Sequence, residues 1–289
     1  MEWTSADLPS FSGRTVIVTG ANSGLGLVTA RELARVGGRV ILACRDSAKG
    51  ESAAAAMSGE VEVRRLDLQD LPSIREFADT VAAVDVLINN AGIMAVPYAL
   101  TRDGFESQIG TNHLGHFALT NLLLPKISDR VVTVSSLAHR FGRINLRDLN
   151  WKARPYLAWP AYGQSKLANL LFTSELQRRL GAAGSPIRAQ AAHPGYSATN
   201  LQGHTGNRFG TPFWNAGNRL MATSADFGAQ QTLFAASQDL PGNSFIGPKF
   251  GWRGPTEAVD RSRRARDDRM AKDLWELSEQ LTGIGFPLP

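Results

Sequence analysis

Over the first 192 residues, short Val- and Ile-rich runs alternate with longer helical patterns, and this rhythm leaves the chain few folds to choose from. Strands are expected at 14–18, 39–43, 61–66, 84–88, 130–134 and 187–192. Helices are expected at 25–36, 47–57, 72–82, 105–124 and 161–180. Strands joined through helices of this length must pair in parallel through right-handed crossovers, which places helices on both faces of the sheet. The predicted fold class is therefore α/β, a single-domain Rossmann-type doubly wound parallel sheet. After residue 192 the rhythm breaks. Residues 202–222 read as irregular with short helices, Ser224 as the cap of a helix reaching about 237, and 243–247 as a last strand. Residues 261–281 read as an amphipathic helix and 286–289 as a tail.

Composition narrows the class. Hydrophobic residues make up 43% and charged residues 20%, values of an ordinary globular protein. The lone Cys44 allows neither an intramolecular disulfide nor a zinc cluster and fits a reducing, intracellular compartment. The net charge of +5 calls for an anionic partner. No helix-turn-helix, zinc-finger or aromatic–basic module is present, so the expected anion is a cofactor and not a nucleic acid. Residues 1–13 lack the basic start and apolar run of a signal peptide, and no stretch approaches the ~18 apolar residues of a membrane span. A cytoplasmic location with no membrane anchor is expected.

Thr19-Gly20-Ala21-Asn22-Ser23-Gly24-Leu25-Gly26 follows the first strand and opens the first helix. Glycines in that context let the backbone approach a pyrophosphate, and the helix N-terminus offers free N–H groups and partial positive charge. The spacing, Gly-x-x-x-Gly-x-Gly, resembles the cofactor signature of the short-chain dehydrogenase/reductase family in its single-domain form, and other motifs extend the likeness. The resemblance implies a cofactor site built from Gly20, Asn22, Ser23, Gly24, Leu25 and Gly26. Asp67-Leu68, at the end of the third strand, would meet the adenine. Asn89, Ala91 and Gly92 of Asn89-Asn90-Ala91-Gly92 would run beside the cofactor. Pro194, Gly195 and Thr199 of the segment after the sixth strand would hold the carboxamide end.

The second strand ends Ala43-Cys44-Arg45-Asp46. An NAD site usually has an acidic residue here for the ribose 2′-hydroxyl. Cys44 stands at that position with Arg45 beside it, and a guanidinium can bind a 2′-phosphate bidentately. NADP is therefore the expected cofactor, with NAD the less favoured one. Asp46 is read as a cap of the next helix.

Tyr162-Gly163-Gln164-Ser165-Lys166 lies on a predicted helix, where residues four apart share a face. An ammonium beside a phenol favours the phenolate and lowers a pKa that starts near 10. This gives a general acid/base, and by resemblance Lys166 also hydrogen-bonds the nicotinamide ribose. The resemblance places the substrate-orienting serine at Ser136, the second of Ser135-Ser136, and an asparagine at Asn112 that holds a water linked to Lys166. Tyr162, Lys166, Ser136 and Asn112 form the expected catalytic set, and Tyr162 and Lys166 also touch cofactor. No metal is expected. His113 and His116 read as packing or polar-rim residues, and His139 as a residue that borders the substrate at most.

The interval from Ser136 to Tyr162 is long for the family. With the 112–120, 135–139, 165–172 and 274–279 stretches it resembles the retinol dehydrogenase-like branch, which is similar to the WW-domain oxidoreductases and the light-dependent protochlorophyllide reductases. Membrane-bound retinol dehydrogenases carry an N-terminal anchor that residues 1–13 lack, which points away from a retinoid. The expectation is one domain over 1–289, with 1–192 mainly cofactor-binding and catalytic and 193–289 mainly lid. Its substrate would be a small, lipophilic ketone, aldehyde or alcohol, lined by Phe209, Phe213, Trp214 and the 151–159 stretch if these are not lid packing. The basic run 261–269 reads as a solvated helix face. Two other readings stand beside this one: reduction of a carbon–carbon double bond, and a non-catalytic sensor of nicotinamide redox state. A homo-oligomer through the 105–124 and 161–180 helices is possible in either case, unless the insert or tail covers that face.

Overall fold

The computed structural model describes residues 2–195 and 225–289. Its strands are β1 (Thr15–Thr19), β2 (Arg39–Cys44), β3 (Val61–Arg65), β4 (Val84–Asn89), β5 (Ile127–Val134), β6 (Arg188–Ala192), β7 (Phe245–Pro248) and β8 (Thr256–Ala258). They form one sheet in the order β3-β2-β1-β4-β5-β6-β7-β8. All neighbours from β3 to β7 are parallel, and β8 closes the edge antiparallel to β7. The chain winds outward from β1 to β3 and then crosses back to β4. The carboxyl ends of β1 and β4 therefore flank a topological switch point, where such sheets hold ligands.

Alternate residues of each strand feed opposite cores, as a period of two requires. Ile17, Ile41, Leu87, Val131 and Ala189 point to the face covered by α3 (Leu71–Thr80), α5 (Gly115–Leu123) and α6 (Ala158–Ala182). Val16, Val18, Leu42, Ile88 and Val132 point to the face covered by α1 (Gly24–Arg35) and the helix α7 (Ala225–Ser237). A short α2 (Ser47–Ala54) follows β2, capped by Asp46, whose Oδ1 accepts the Lys49 N–H at 3.1 Å.

The helix expected over 105–124 is broken into α4 (Ser107–Ile109), a π-helical turn (Gly110–Leu114) and α5. A π turn leaves the ordinary hydrogen-bond ladder and often marks a functional site. The strand expected at 243–247 starts later, because Asn243 adopts φ 65°. It is not the last one: the three-residue β8 follows it and carries too little pattern to be read from sequence.

The helix expected from 261 begins seven residues later, as α8 (Asp268–Thr282), because Asp267 caps it by accepting the Met270 N–H at 2.9 Å. The basic run is thus exposed at Arg263, Arg264, Arg266 and Arg269, as expected, but it does not lie on one helix, and Arg261 turns inward. Arg261 lies over the Phe245 ring and donates to Ser174 Oγ at 2.7 Å, and residues 263–266 form a 3-10 turn. Trp275 of α8 stacks on Phe172 of α6, with centroids 5.6 Å apart and planes at 7°, and meets Phe117 of α5 edge-on at 4.8 Å. α8 therefore covers part of the α5–α6 face. The tail is docked too, with Phe286 against Trp275.

Candidate active site

A cleft of about 910 Å³ opens over the carboxyl ends of β1, β2, β4 and β5. Its floor is the turn between β1 and α1. Gly20 takes φ 65°, in the left-handed region that glycine occupies without strain. A Cβ on Gly26 would sit 2.5 Å from Asn90 Nδ2 and 2.6 Å from Gly20 O, so only glycine lets α1 start this close to the β4 turn. Thr19 holds the two turns together. Its Oγ1 accepts the Asn90 and Ala91 N–H groups at 2.9 Å each and lies 2.9 Å from His116 Nε2. Ser23, the N-cap of α1, makes no side-chain cap bond. The first N–H groups of α1 are thus free to receive an anion, which is the fit a dinucleotide pyrophosphate requires.

Most of the residues singled out in the sequence line this cleft: Gly20, Asn22, Ser23, Gly24, Leu25, Gly26, Arg45, Asp67, Leu68, Ala91, Gly92, Tyr162, Lys166 and Pro194. Asn89 does not. Its side chain is buried within the fold and donates to Thr120 Oγ1 at 2.9 Å, and the lining residue is its neighbour Asn90. Strand alternation sends consecutive side chains opposite ways, which a motif alone does not reveal. Gly195 is no lining residue either. It turns the chain at φ 70° against the Trp252 carbonyl. Thr199, Phe209, Phe213 and Trp214 lie outside the described residues, as does Ser224. Sequence reasoning missed Gln69, Ile93, Thr111 and Val134, which also line the cleft and carry no signal beyond their place beside a motif.

At the outer end Arg45 is exposed on the cleft wall with Asp46, Lys49 and Ser52 nearby. Asp46 is occupied as a cap and lies 3.6 Å from Lys49 Nζ, so its charge is offset. The Cys44 thiol does not face the cofactor wall as a ribose ligand would. It receives the backbone N–H groups of Ala21 and Asn22, and burial pushes it up to about 11.

At the inner end, burial pushes Tyr162 up to about 12, while the Ser136 hydroxyl, within hydrogen-bonding reach, pulls it the other way. Lys166 is pushed down to about 8 by burial alone. Its Nζ donates to Val134 O at 3.1 Å and stands 5.7 Å from the Tyr162 ring centroid. The expected lowering of Tyr162 by Lys166 is therefore not what this geometry produces in the protein by itself, because burial outweighs a cation held at that range. The preceding Ser135 lines the cleft, but its Oγ donates to Lys166 O at 2.8 Å and fixes α6 to the end of β5. Asn112 sits in the π turn, completely buried, with Nδ2 donating to Ile93 O and Ser165 Oγ and Oδ1 accepting the Ile93 N–H. Its side chain shapes the wall beyond Gly92 and does not itself reach Lys166. Its backbone carbonyl lies 3.1 Å from His116 Nδ1.

Beside Tyr162 stands an apolar side chain: Trp159 meets the Tyr162 ring edge-on at 6.1 Å and is 55% exposed. Trp151, by contrast, is buried against Tyr156 and under Arg154, so that end of the insert is packing. His113 and His116 are both buried, as packing residues, and His139 is buried too and is not among the residues lining the cleft.

The sequence model of the short chain dehydrogenase family matches residues 14–208. Retinol dehydrogenase 13 of Homo sapiens is 45% identical over 300 residues, covering 95% of this chain and 86% of that relative. The crystal structure of an uncharacterized protein from Mycobacterium paratuberculosis is 69% identical with a TM-score of 0.91, and each chain is covered completely. A structure assigned as an NAD(P)-dependent gluconate 5-dehydrogenase from Beutenbergia cavernae, with bound NADP, is 25% identical with a TM-score of 0.62, covering 82% of this chain and 96% of that one.

Proposed function

Because the chain belongs to the short-chain dehydrogenase/reductase family and is thus an oxidoreductase acting on CH–OH donors, we propose that it uses NADP(H) to interconvert a lipophilic alcohol and its aldehyde or ketone. The observation that carries this reading is one cleft with a guanidinium, Arg45, at one end and Tyr162 and Lys166 at the other, with the Ser136 hydroxyl within hydrogen-bonding reach of Tyr162. The open α1 N-terminus between them suits the pyrophosphate. Arg45 has no ion-pair partner among the described residues, so a 2′-phosphate would displace nothing to bind it. NADP bound to a relative and the retinol dehydrogenase likeness support the same reading. The described residues include no helix long and apolar enough to cross a membrane, which is compatible with a cytoplasmic enzyme.

When bound, the nicotinamide supplies or accepts the hydride. In reduction the carbonyl carbon gains that hydride and its oxygen gains the Tyr162 proton. A phenol pushed up to about 12 is protonated at neutral pH, so the protein alone presents Tyr162 as the acid. Ser136 Oγ holds the carbonyl oxygen as negative charge grows there. Lys166 presents an ammonium to the ribose side and favours the phenolate left after transfer. Trp159, edge-on to Tyr162, presents an apolar ring beside the reacting phenol and favours an apolar substrate.

The test is a parallel titration with NADPH and NADH, followed by nicotinamide fluorescence, for wild type and Arg45→Ala. NADPH should bind about tenfold more tightly or better, equivalent to roughly 1.4 kcal/mol, and the variant should lose that margin. A panel of lipophilic aldehydes and ketones is then run against Tyr162→Phe, which should be inactive. Equal binding of both cofactors overturns the NADP assignment, and binding of neither favours the non-catalytic sensor.

A further inference from the structure

Behind Ser136 lies a histidine that the reaction above does not use. Ser136 ends the chain's run from β5 and caps a 3-10 turn, Leu137–Arg140, by accepting the Ala138 N–H on its Oγ at 3.2 Å. His139, in that turn, is fully buried. Its Nδ1 lies 2.7 Å from the Ser136 carbonyl oxygen, which can only accept, so Nδ1 carries the proton. Its Nε2 lies 3.3 Å from the backbone N–H of Ser262, which can only donate, so Nε2 is bare. One neutral tautomer satisfies both partners. The ring also stands edge-on to Phe245 of β7, with centroids 5.5 Å apart and planes at 90°. Three segments far apart in sequence therefore meet on one imidazole: the turn after β5, strand β7, and the strap that precedes α8.

We propose that His139 is a positioning residue: by gripping the Ser136 carbonyl from behind and the Ser262 N–H from the strap, it fixes where the Ser136 hydroxyl stands relative to Tyr162. The inference rests on the reading in which Ser136 and Tyr162 serve the carbonyl oxygen. The surroundings keep the tautomer in place. Burial pushes His139 down to about 4, and the charges facing it, Arg140 from its own turn and Arg261 from the strap, act in the same direction. His193, across Phe245 from it, is likewise held neutral by burial, with His139 and Arg140 adding to the effect. The Ser136 hydroxyl draws the Tyr162 pKa downward, so a Ser136 that drifts leaves Tyr162 a weaker acid. A loosened His139 should thus appear in the proton-transfer step and not in cofactor binding.

Three variants separate the roles. His139→Asn places an amide N–H close to Nδ1 and keeps the bond to Ser136. His139→Phe keeps the ring packing and loses both bonds. Ser262→Pro removes the N–H given to Nε2, together with a buried hydroxyl that makes no hydrogen bond among the described residues, at a residue whose φ of −63° proline adopts. Each is assayed with NADPH and whichever panel aldehyde or ketone wild type reduces fastest, over a pH series. His139→Phe should lower kcat by about tenfold or more with the NADPH Kd within about twofold, and should move the limb of the kcat–pH profile assigned to Tyr162 upward. His139→Asn and Ser262→Pro, which each keep the Ser136 bond and lose the Ser262 one, should both recover most of the wild-type kcat and profile. A folded His139→Phe with wild-type kcat and profile overturns the inference. So does a loss of kcat that His139→Asn does not rescue and that leaves the profile unmoved, since that is a purely structural effect. If His139→Phe does not fold, His139→Asn and Ser262→Pro decide: both near wild type support it, and a tenfold loss of kcat or a moved profile in either overturns it. The reading underneath fails differently: Tyr162→Phe stays active, or wild type reduces no member of the panel, and either result removes this inference with it.

Discussion

Lowering the pH from 7 to 5 should strip this protein of a large part of its stability, because four histidines are buried in neutral form. Burial pushes His113 to about 3, His116 to about 4, His139 to about 4 and His193 to about 3. In the unfolded chain each returns to ~6.5. Folded values below unfolded ones mean that, between about pH 6.5 and 4, only the unfolded chain takes up these protons, so stability falls as pH falls through that window. At roughly 1.4 kcal/mol per pH unit per proton, each histidine loses about 2 kcal/mol between pH 7 and 5, and the four together about 7 kcal/mol. A domain holds only ~5–15 kcal/mol in all. Glu106 opposes the trend, since burial raises its pKa and the folded form takes up that proton first. Asp129 and Glu175, held below the usual range by neighbouring arginines, add to the loss only at lower pH. Urea denaturation at pH 7, 6 and 5 reads the effect directly. His113→Phe, which keeps ring contacts with Phe117 and Phe172, should remove about a quarter of the pH dependence. A free energy that changes by less than about 2 kcal/mol over this range would refute the reasoning, since it would mean that the histidines titrate alike in both states.

Three further outcomes are expected. Gly26→Ala brings a Cβ to 2.5 Å from Asn90 Nδ2 and 2.6 Å from Gly20 O, so it should abolish cofactor binding in a fluorescence titration while circular dichroism still shows a folded chain. Trp275→Ala empties the stack on Phe172 and should cost about 3–5 kcal/mol in urea denaturation, with a loss under 1 kcal/mol showing that α8 is not anchored there. Asp267→Ala removes the cap of α8 and should cost about 1 kcal/mol, whereas Asp267→Asn should cost less because Asn caps nearly as well.

The order of strands and helices was legible up to β6 because each element carries its own period, two for strands and 3.6 for helices. The glycine turn and the Tyr162–Lys166 pair were legible because each is a local pattern with a local geometric meaning. The legibility stopped where neighbours distant in sequence decide. Asn112 occupies a π turn whose side-chain partners, Ile93 and Ser165, lie 19 and 53 residues away. Asn90 lines the cleft in place of Asn89 because the strand's pleat, set by its pairing, chooses the face.

By itself, then, the sequence determined the doubly wound sheet and the glycine turn at the switch point, which follow from periodicity and local turn geometry, and it set Tyr162 and Lys166 on one helix face through their i, i+4 spacing, whereas Ser136 and Asn112 were reached only through the family resemblance. Tertiary structure alone decided the ionisation of Tyr162 and Lys166, because burial is a property of everything packed around a group, and here it outweighs the one neighbour that the sequence displays. It alone also brought His139 between Ser136 and Ser262, 123 residues further along the chain from His139, a meeting that only the closure of the sheet edge through β7 and the strap produces.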